Sequence, residues 1–149
     1  MKIILGCGAK KGRLAAPAWQ LYTGSLFQAA VGWARSIVPL RSIYILSAKY
    51  GVIRSMDVIA PYDSRMGTPS QVITAPEVAR QVAALGLDQE MPLLANLGEP
   101  YRKVLEPALP RFERLIDHMD VPSLGMGYQT SWFKHNHWKL PASLYVIYL

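Results

Sequence analysis

The sequence predicts a single α/β domain with three layers, in which helices flank a mostly parallel sheet of four strands. Two observations predict this class: short apolar runs alternate with segments of helical spacing, and a polar or glycine-rich turn follows each of the first three runs. The chain has 149 residues, of which 51% are hydrophobic and 17% charged, and it shows no internal repeat. This composition supports one core and excludes a disordered chain, so we predict one domain over residues 1–149.

The predicted strands are short and apolar. They are residues 2–5, 42–47, 92–96 and 112–116, and a closing edge strand is predicted at 144–149. Strands of this length, separated by helical segments, are typical of parallel sheets.

Three segments have the pattern of helices. Residues 24–37 carry apolar side chains at helical spacing, and Ser25 is the predicted N-cap. A second helix is predicted over residues 74–85 with Thr74 as its N-cap, and a third near residues 100–105.

Basic side chains are concentrated in the first third of the chain. Residues 1–56 carry eight basic and no acidic side chains, whereas residues 57–149 carry eight basic and ten acidic ones, for a net charge of +6. This asymmetry predicts an anionic partner, with nucleic acid as the first candidate and nucleotide phosphates as the second. The alternative is that the charge serves solubility alone.

The compartment is predicted from what the chain lacks. No apolar run approaches the roughly 18–20 residues that span a bilayer, and the apolar start of the chain is too short for a signal peptide. Cys7 is the single cysteine and cannot form an internal disulfide. We therefore expect a protein of the reducing cytoplasm without a membrane partner, and the sequence leaves the oligomeric state open.

The polar turns predict one cleft, because the carboxyl ends of parallel strands meet at one edge of a sheet. The turns are residues 6–12, 47–51 and 96–101. The first of them combines small residues and backbone N–H groups with Lys10 and Lys11, which suits a phosphate diester. Its spacing matches neither a P-loop nor a dinucleotide fingerprint, and a plain β-turn with surface lysines is the alternative.

Several polar side chains in or after these turns are candidate ligand contacts. Ser47, Lys49 and Tyr50 place a hydroxyl, an ammonium and a phenol directly after a buried strand, and Asn96 ends another. Asp63 is the candidate carboxylate for orienting or deprotonating water, and Asp57 is its rival. Each of these groups could instead stabilise its own turn.

The region after Gly125 combines aromatic and basic side chains, which suits contacts with phosphates and stacked bases, although core packing explains its tryptophans equally well. His135 and His137 lack a second ligand pair, so we predict no metal site.

Four sequence motifs resemble those of an uncharacterised family of bacterial and phage proteins, so the resemblance implies no particular activity. They are Cys7-x-x-Lys10-Lys11, residues 21–27 (Leu-Tyr-Thr-Gly-Ser-Leu-Phe), residues 46–51 (Leu-Ser-Ala-Lys-Tyr-Gly) and residues 61–63 (Pro-Tyr-Asp). This resemblance covers about residues 3–105.

The order of elements also resembles the uracil-DNA-glycosylase superfamily. In that superfamily a water-activating turn follows the first strand, a base-recognising Asn ends the second, a Leu-Trp-Gly-like turn follows the third, and a late loop grips the minor groove. The corresponding positions here are residues 3–11, Ser47, residues 96–98 and residues 121–126.

Departures from that superfamily imply a different substrate. Gly8 stands where the superfamily has Asp, Ser47 where it has Asn, Val121 where it has His, and Lys10 near the tyrosine that closes the pocket. The resemblance therefore implies a larger, more polar pocket than uracil needs, suited to a pyrimidine with a bulky hydroxylated substituent such as a glucosylated hydroxymethyl group.

Together these features predict a DNA glycosylase that flips such a modified base out of double-stranded phage DNA and hydrolyses its N-glycosidic bond without a cofactor, as a defence. The predicted catalytic residues are Asp63, Lys11 and Asp57. The predicted base-binding residues are Cys7, Gly8, Ser47, Lys49, Tyr50 and Asn96. The predicted DNA contacts are Lys10, Arg13, Ser123, Leu124, Met126, Tyr128, Lys134 and His135, with Leu124 or Met126 as the wedge that fills the gap left by the base.

Two other classes stay open. One is a hydrolase or transferase acting on the N-ribosyl bond of free nucleosides or nucleotides, and the other is a DNA-binding module without catalysis.

Overall fold

The computed structural model describes residues 1–89, 92–109, 111–119 and 125–144. Its main feature is a five-stranded mixed sheet of order β4-β3-β1-β6-β7, in which three pairings are parallel and the β3–β4 pairing is antiparallel. The strands are β1 (Lys2–Gly6), β3 (Ile43–Ser47), β4 (Gly51–Arg54), β6 (Leu93–Asn96) and β7 (Glu113–Arg114). The α/β class is confirmed, but the prediction of four strands was wrong.

The three strands in the middle of the sheet are those the sequence predicted. β1 is the central strand, and Ile3 pairs with Ile43 on one side and with Leu94 on the other. All three of these side chains are fully buried, because a strand with neighbours on both sides and helices on both faces has no solvent-facing side. The carboxyl ends of β1, β3 and β6 therefore lie at the same edge.

Within the five-stranded sheet, β4 is the strand that the sequence did not predict, and it begins at a tight turn at Gly51. Gly51 has φ +77°, in the left-handed region that glycine tolerates, and this turns the chain back alongside β3. The Gln81 side chain holds the turn: its Nε2 donates to the Tyr50 carbonyl at 2.9 Å and its Oε1 accepts from the Val52 amide at 2.8 Å.

Six helices are described. They are α1 (Ala18–Leu21), α2 (Ser25–Ile37), α3 (Ala75–Ala84), α4 (Glu99–Leu105), α5 (Leu115–His118) and α6 (Met126–His135). Two short 3-10 turns lie at Leu40–Ser42 and Leu87–Gln89. The structure confirms Thr74 as the N-cap of α3, since its side chain accepts from the Glu77 amide. The N-cap of α2 is Gly24, so the prediction of Ser25 as N-cap was wrong by one residue.

Helices cover both faces of the sheet. On one face α2 packs against α6, with the Trp33 ring 5.7 Å from Trp132 and 5.5 Å from Phe133. On the other face α3 and α4 bury Val78, Val82, Val104 and Leu105. Trp132 and Phe133 thus belong to the core and do not contribute to a nucleic-acid surface.

Three smaller features complete the described chain. β2 (Ala16–Pro17) and β5 (Val58–Ile59) form a separate antiparallel pair. The predicted strand at 112–116 is only the two-residue β7, because the chain turns into α5 directly after it. The strand predicted at 144–149 lies beyond the described residues apart from Leu144. Within the described ranges, no helix has the length and apolarity needed to cross a membrane.

The turn at Gly51 gives a stability prediction. A Cβ atom there would overlap the Gln81 side-chain amide, and the left-handed backbone would also be strained. We expect Gly51→Ala to lower the free energy of unfolding by about 2–4 kcal/mol, from about 1–2 kcal/mol of backbone strain and about 1 kcal/mol for each displaced hydrogen bond. Urea denaturation followed by circular dichroism measures this change.

The matched control is Gly86→Ala. Gly86 has φ +69°, and nothing lies within 4 Å of a Cβ placed there, so this variant carries the backbone strain alone. Equal losses in the two variants would contradict the role assigned to Gln81.

Candidate functional site

A cavity of about 640 Å³ opens at the carboxyl ends of β1 and β6. Its walls come from the turn after β1 (residues 6–10), the turn after β6 (residues 96–98), Tyr101, and the starts of α2 and α6. This volume lies within the range of about 300–1,000 Å³ that is typical of small-molecule sites. The position is the one that ligands occupy in open α/β sheets.

Cys7 and Tyr101 form the polar centre of the cavity wall. The Tyr101 hydroxyl donates to the Cys7 carbonyl oxygen at 3.1 Å and lies 3.3 Å from the Cys7 Sγ atom. Because the phenol has one proton, the thiol is the donor in the second contact. Burial, and after it the nearby Cys7, raise the pKa of Tyr101, so its hydroxyl stays protonated at neutral pH.

The starts of two helices also contribute to the wall. Gly24 caps α2 and Gly125 caps α6, and neither helix has a side chain bonded to its first amides. The first residues of both helices line the cavity. Uncapped first-turn amides present N–H donors and the positive end of the helix dipole, so this wall favours negative charge.

Glycines make the cavity wide. Five of its lining residues are glycine, at positions 6, 8, 24, 98 and 127. A Cβ atom at Gly24 or Gly127 would have no neighbour within 4 Å, so larger side chains there would enter open space.

A second polar group of residues surrounds the hydroxyl of Tyr62, and we call it the tyrosine cluster. It consists of Lys11, Tyr22, Ser47, Tyr50 and Tyr62. The Tyr62 hydroxyl lies 2.6 Å from that of Tyr22 and 2.7 Å from the Ser47 Oγ atom, and the Tyr50 ring packs edge-on against Tyr62 at 5.4 Å.

Lys11 covers this cluster. Its Nζ lies 4.3 Å from the centre of the Tyr62 ring and donates to the Ala9 carbonyl at 3.1 Å. Burial lowers the pKa of Lys11, while Cys7 and Asp63 act to raise it. Burial, followed by the influence of Cys7, raises the pKa of both Tyr22 and Tyr62. Cys7, which lines the cavity, therefore also acts electrostatically on the tyrosine cluster.

The structure divides the predicted single cleft into these two sites. Five predicted residues line the cavity: Cys7, Gly8, Lys10, Asn96 and Met126. Four others belong to the tyrosine cluster or its edge: Lys11, Ser47, Tyr50 and Lys49, whose Nζ lies 5.3 Å from the centre of the Tyr50 ring. The turn after β3 does not join the other two turns because β4 pairs along β3 and turns the chain back.

The two candidate acids have different surroundings. The Asp57 Oδ2 atom accepts from the Arg54 amide at 2.9 Å, and its backbone oxygen accepts from Ala18 at 2.8 Å, which is the bonding of a turn residue. Asp63 is exposed and does not line the cavity. Its charge acts to raise the pKa of Lys11, against the larger effect of burial, which lowers it.

The predicted DNA contacts are spread over the molecule. Arg13 is exposed in the loop that precedes β2, and Tyr128 is half exposed on α6. Lys134 and His135 end α6, about 12–14 Å along the helix axis from Met126 at its start. Ser123 and Leu124 lie outside the described residues.

Sequence reasoning missed three tyrosines and two helix starts. Tyr22 and Tyr62 were present in the strings that carried the family resemblance, but no role followed from those strings. Tyr101 could have been noticed as the side chain one turn into the helix that follows Asn96. No signal in the sequence brought the start of α6 to the cavity, because that contact depends on how α6 packs against α2.

In the described parts of the chain, no group of three or more His, Cys, Asp or Glu side chains is placed to hold a metal ion.

Comparison with known proteins gives a family without an activity. Residues 3–135 match the family model described as a family of unknown function, DUF6884. No curated protein and no solved structure matches the chain.

Ser47 gives a prediction that separates a structural role from base recognition. It is fully buried, and its Oγ accepts from the amides of Lys49 and Tyr50 at 3.2 and 3.1 Å. We expect Ser47→Ala to lower the free energy of unfolding by about 1–3 kcal/mol, because buried N–H groups lose their acceptor. Ser25→Ala, at an exposed serine without a capping bond, is the control and should change stability by less than about 0.5 kcal/mol. Full stability of Ser47→Ala would return this residue to the candidates for base contact.

Proposed function

The chain belongs to the DUF6884 family, and from its cavity we propose that it is a DNA glycosylase for a pyrimidine with a bulky 5-substituent, such as a glucosylated hydroxymethyl group. The target nucleotide flips out of double-stranded DNA, and its N-glycosidic bond is hydrolysed. Such an enzyme would act in the cytoplasm as a defence against phages whose DNA carries the modified base.

The observation that carries this proposal is the combination of size and charge in the cavity. Its volume of about 640 Å³ leaves room for a substituted base, and none of its lining residues is a carboxylate among the residues the structure describes. A largely apolar wall that carries a few N–H donors and no described carboxylate favours a base that becomes negatively charged.

That preference fits the chemistry of glycosidic cleavage. When the bond between C1′ and the base nitrogen breaks, the electron pair leaves with the base, which becomes an anion. The Asn96 amide and the first amides of α2 and α6 are the donors available to that anion, since the Tyr101 proton is already donated to the Cys7 carbonyl. Water adds to C1′, and the proton that the water loses passes to a general base of the protein.

Asp63 is the proposed acceptor of that proton, because the carboxylate of Asp57 is already bonded to the Arg54 amide. Asp63 does not line the cavity, so the proton has to reach it through solvent. Asp63 accepts no hydrogen bond from the described residues, and its charge acts on the nearby Lys11.

The finer fold assignment is also part of the proposal. We propose that the fold is a variant of the uracil-DNA-glycosylase fold, supported by the cavity between the turns after β1 and β6. Gly8 lines this cavity at the position where the superfamily carries Asp, which widens the space available to a base.

One observation favours a second candidate, an N-ribosyl hydrolase or transferase for free nucleotides. Lys134 and His135 lie at the end of α6 away from the cavity, so they do not extend the cavity into a DNA-binding groove. A third candidate, a DNA-binding module without catalysis, fits the absence of acids among the described lining residues.

The experiment uses duplex oligonucleotides with one cytosine, hydroxymethylcytosine, glucosylated hydroxymethylcytosine or uracil at a fixed position. We expect abasic sites, detected as strand breaks after alkali, on the glucosylated duplex first. Asp63→Asn should lower kcat at least about 100-fold, the usual range for loss of a general base, and Asp57→Asn should lower stability alone. Release of base from free nucleotides alone would support the second candidate, and no product from any substrate would leave the third.

A cavity-filling variant tests where the base binds. Gly127→Leu places a side chain in open space at the cavity wall, so we expect product formation to fall by at least about tenfold with an unchanged melting temperature. Ala84→Leu, at an exposed position at the end of α3, is the control of equal size. Full activity of Gly127→Leu would place the reaction elsewhere.

A further inference from the structure

The direction of the hydrogen bonds in the tyrosine cluster follows from a count of their protons and lone pairs. Ser47 Oγ already accepts two backbone N–H groups, from Lys49 and Tyr50. A hydroxyl oxygen has two lone pairs, so Ser47 has only its proton left and must donate to the Tyr62 hydroxyl, 2.7 Å away.

The second bond to Tyr62 has a preferred direction for a different reason. Tyr22 is fully buried, and its hydroxyl lies 2.6 Å from that of Tyr62. The Ser47 hydroxyl also acts on Tyr22, but both lone pairs of Ser47 are already filled. A buried hydroxyl with an unused proton is costly, so Tyr22 donates to Tyr62 as well.

Tyr62 is therefore left with a proton and no described acceptor. Both of its lone pairs are filled by Ser47 and Tyr22, and donation into a hydroxyl strengthens it as a donor. Tyr62 is half-buried whereas Tyr22 is fully buried, so Tyr62 is the one of these two phenols that a ligand can approach.

Lys11 adds a positive charge at the same place. Its Nζ lies over the Tyr62 ring and uses one of its three N–H bonds on Ala9. Among the groups that act on its charge, Arg65 also brings positive charge, and Asp63 is the one carboxylate. Lys49 adds a further exposed ammonium beside Tyr50. An acceptor with negative charge would satisfy both Tyr62 and Lys11.

We propose that Lys11 and Tyr62 bind one phosphate of a DNA strand through a non-bridging oxygen, next to the nucleotide that enters the cavity. The site rests on the proposed function for its position in the reaction. Lys11 and Cys7 belong to the same turn after β1, and Cys7 lines the cavity that takes up the nucleotide. A phosphate oxygen fits because it carries charge for Lys11 and accepts more than one donor.

The test measures the affinity of a fluorescein-labelled unmodified duplex at several KCl concentrations, without any cleavage step. We expect Lys11→Ala to lower the affinity and to reduce the slope of log affinity against log salt by about 0.9, the value for one lost phosphate contact. Tyr62→Phe should lower the affinity about tenfold and leave the slope unchanged, because a neutral donor releases no counterion.

Two further variants control for charge and for packing. Arg41→Ala removes an exposed cation at the amino end of β3, away from both sites, and should leave the affinity nearly unchanged. Tyr22→Phe removes one of the two donors into Tyr62 and should cost less affinity than Tyr62→Phe. Melting temperatures of all variants show whether each one is folded.

Three results would overturn the proposal. Absence of duplex binding by the natural protein, an unchanged slope for Lys11→Ala, or unchanged affinity for Tyr62→Phe would each do so. If only the affinity for deoxycytidine monophosphate depends on Lys11 and Tyr62, the site binds a free nucleotide and not DNA. Duplex binding that follows the expected pattern, without any abasic product, would reject the glycosylase and keep the phosphate site.

Discussion

The structure depends on the hydrogen bonding of β1 on both of its edges. Ile3 and Leu5 lie in register with Ile43 and Ile45 on one side and with Leu94 and Asn96 on the other. The Cys7 amide continues this pairing to the Leu46 carbonyl at 3.1 Å. A central strand fixed in this way holds the turn that follows it in the middle of the sheet edge. Residues 6–11 of this turn can therefore contribute both to the cavity and to the tyrosine cluster.

The position of this turn joins the two sites. On one side Cys7 contacts Tyr101 and lines a cavity without a described carboxylate in its wall. On the other side Lys11 covers the ring of Tyr62, whose proton we propose to be the donor to a phosphate. These two sites match two parts of a nucleotide, since the cavity suits a base and Lys11 suits a charged phosphate. The proposed glycosylase therefore uses one short turn to hold a phosphate and to enclose the base beside it.

Local signals in the sequence predicted the parts of the fold that depend on local chemistry. Thr74 caps α3 as its sequence indicates, and the buried strands 2–5, 42–47 and 92–96 appear where apolar runs occur. The sequence did not predict β4, because its position depends on the contact between Gly51 and Gln81, thirty residues apart. The division of the predicted cleft has the same origin, since β4 keeps the turn after β3 away from the cavity.

Cys7 offers the most direct measurement, because it is the single cysteine and lines the proposed base pocket. The rate of its alkylation by N-ethylmaleimide reports directly on whether the cavity is occupied. With Asp63→Asn protein and a duplex at about ten times its dissociation constant, a glucosylated hydroxymethylcytosine should slow alkylation about tenfold. An unmodified duplex at the same occupancy should leave the rate unchanged. Equal rates with the two duplexes would contradict the proposal that a modified base enters this cavity.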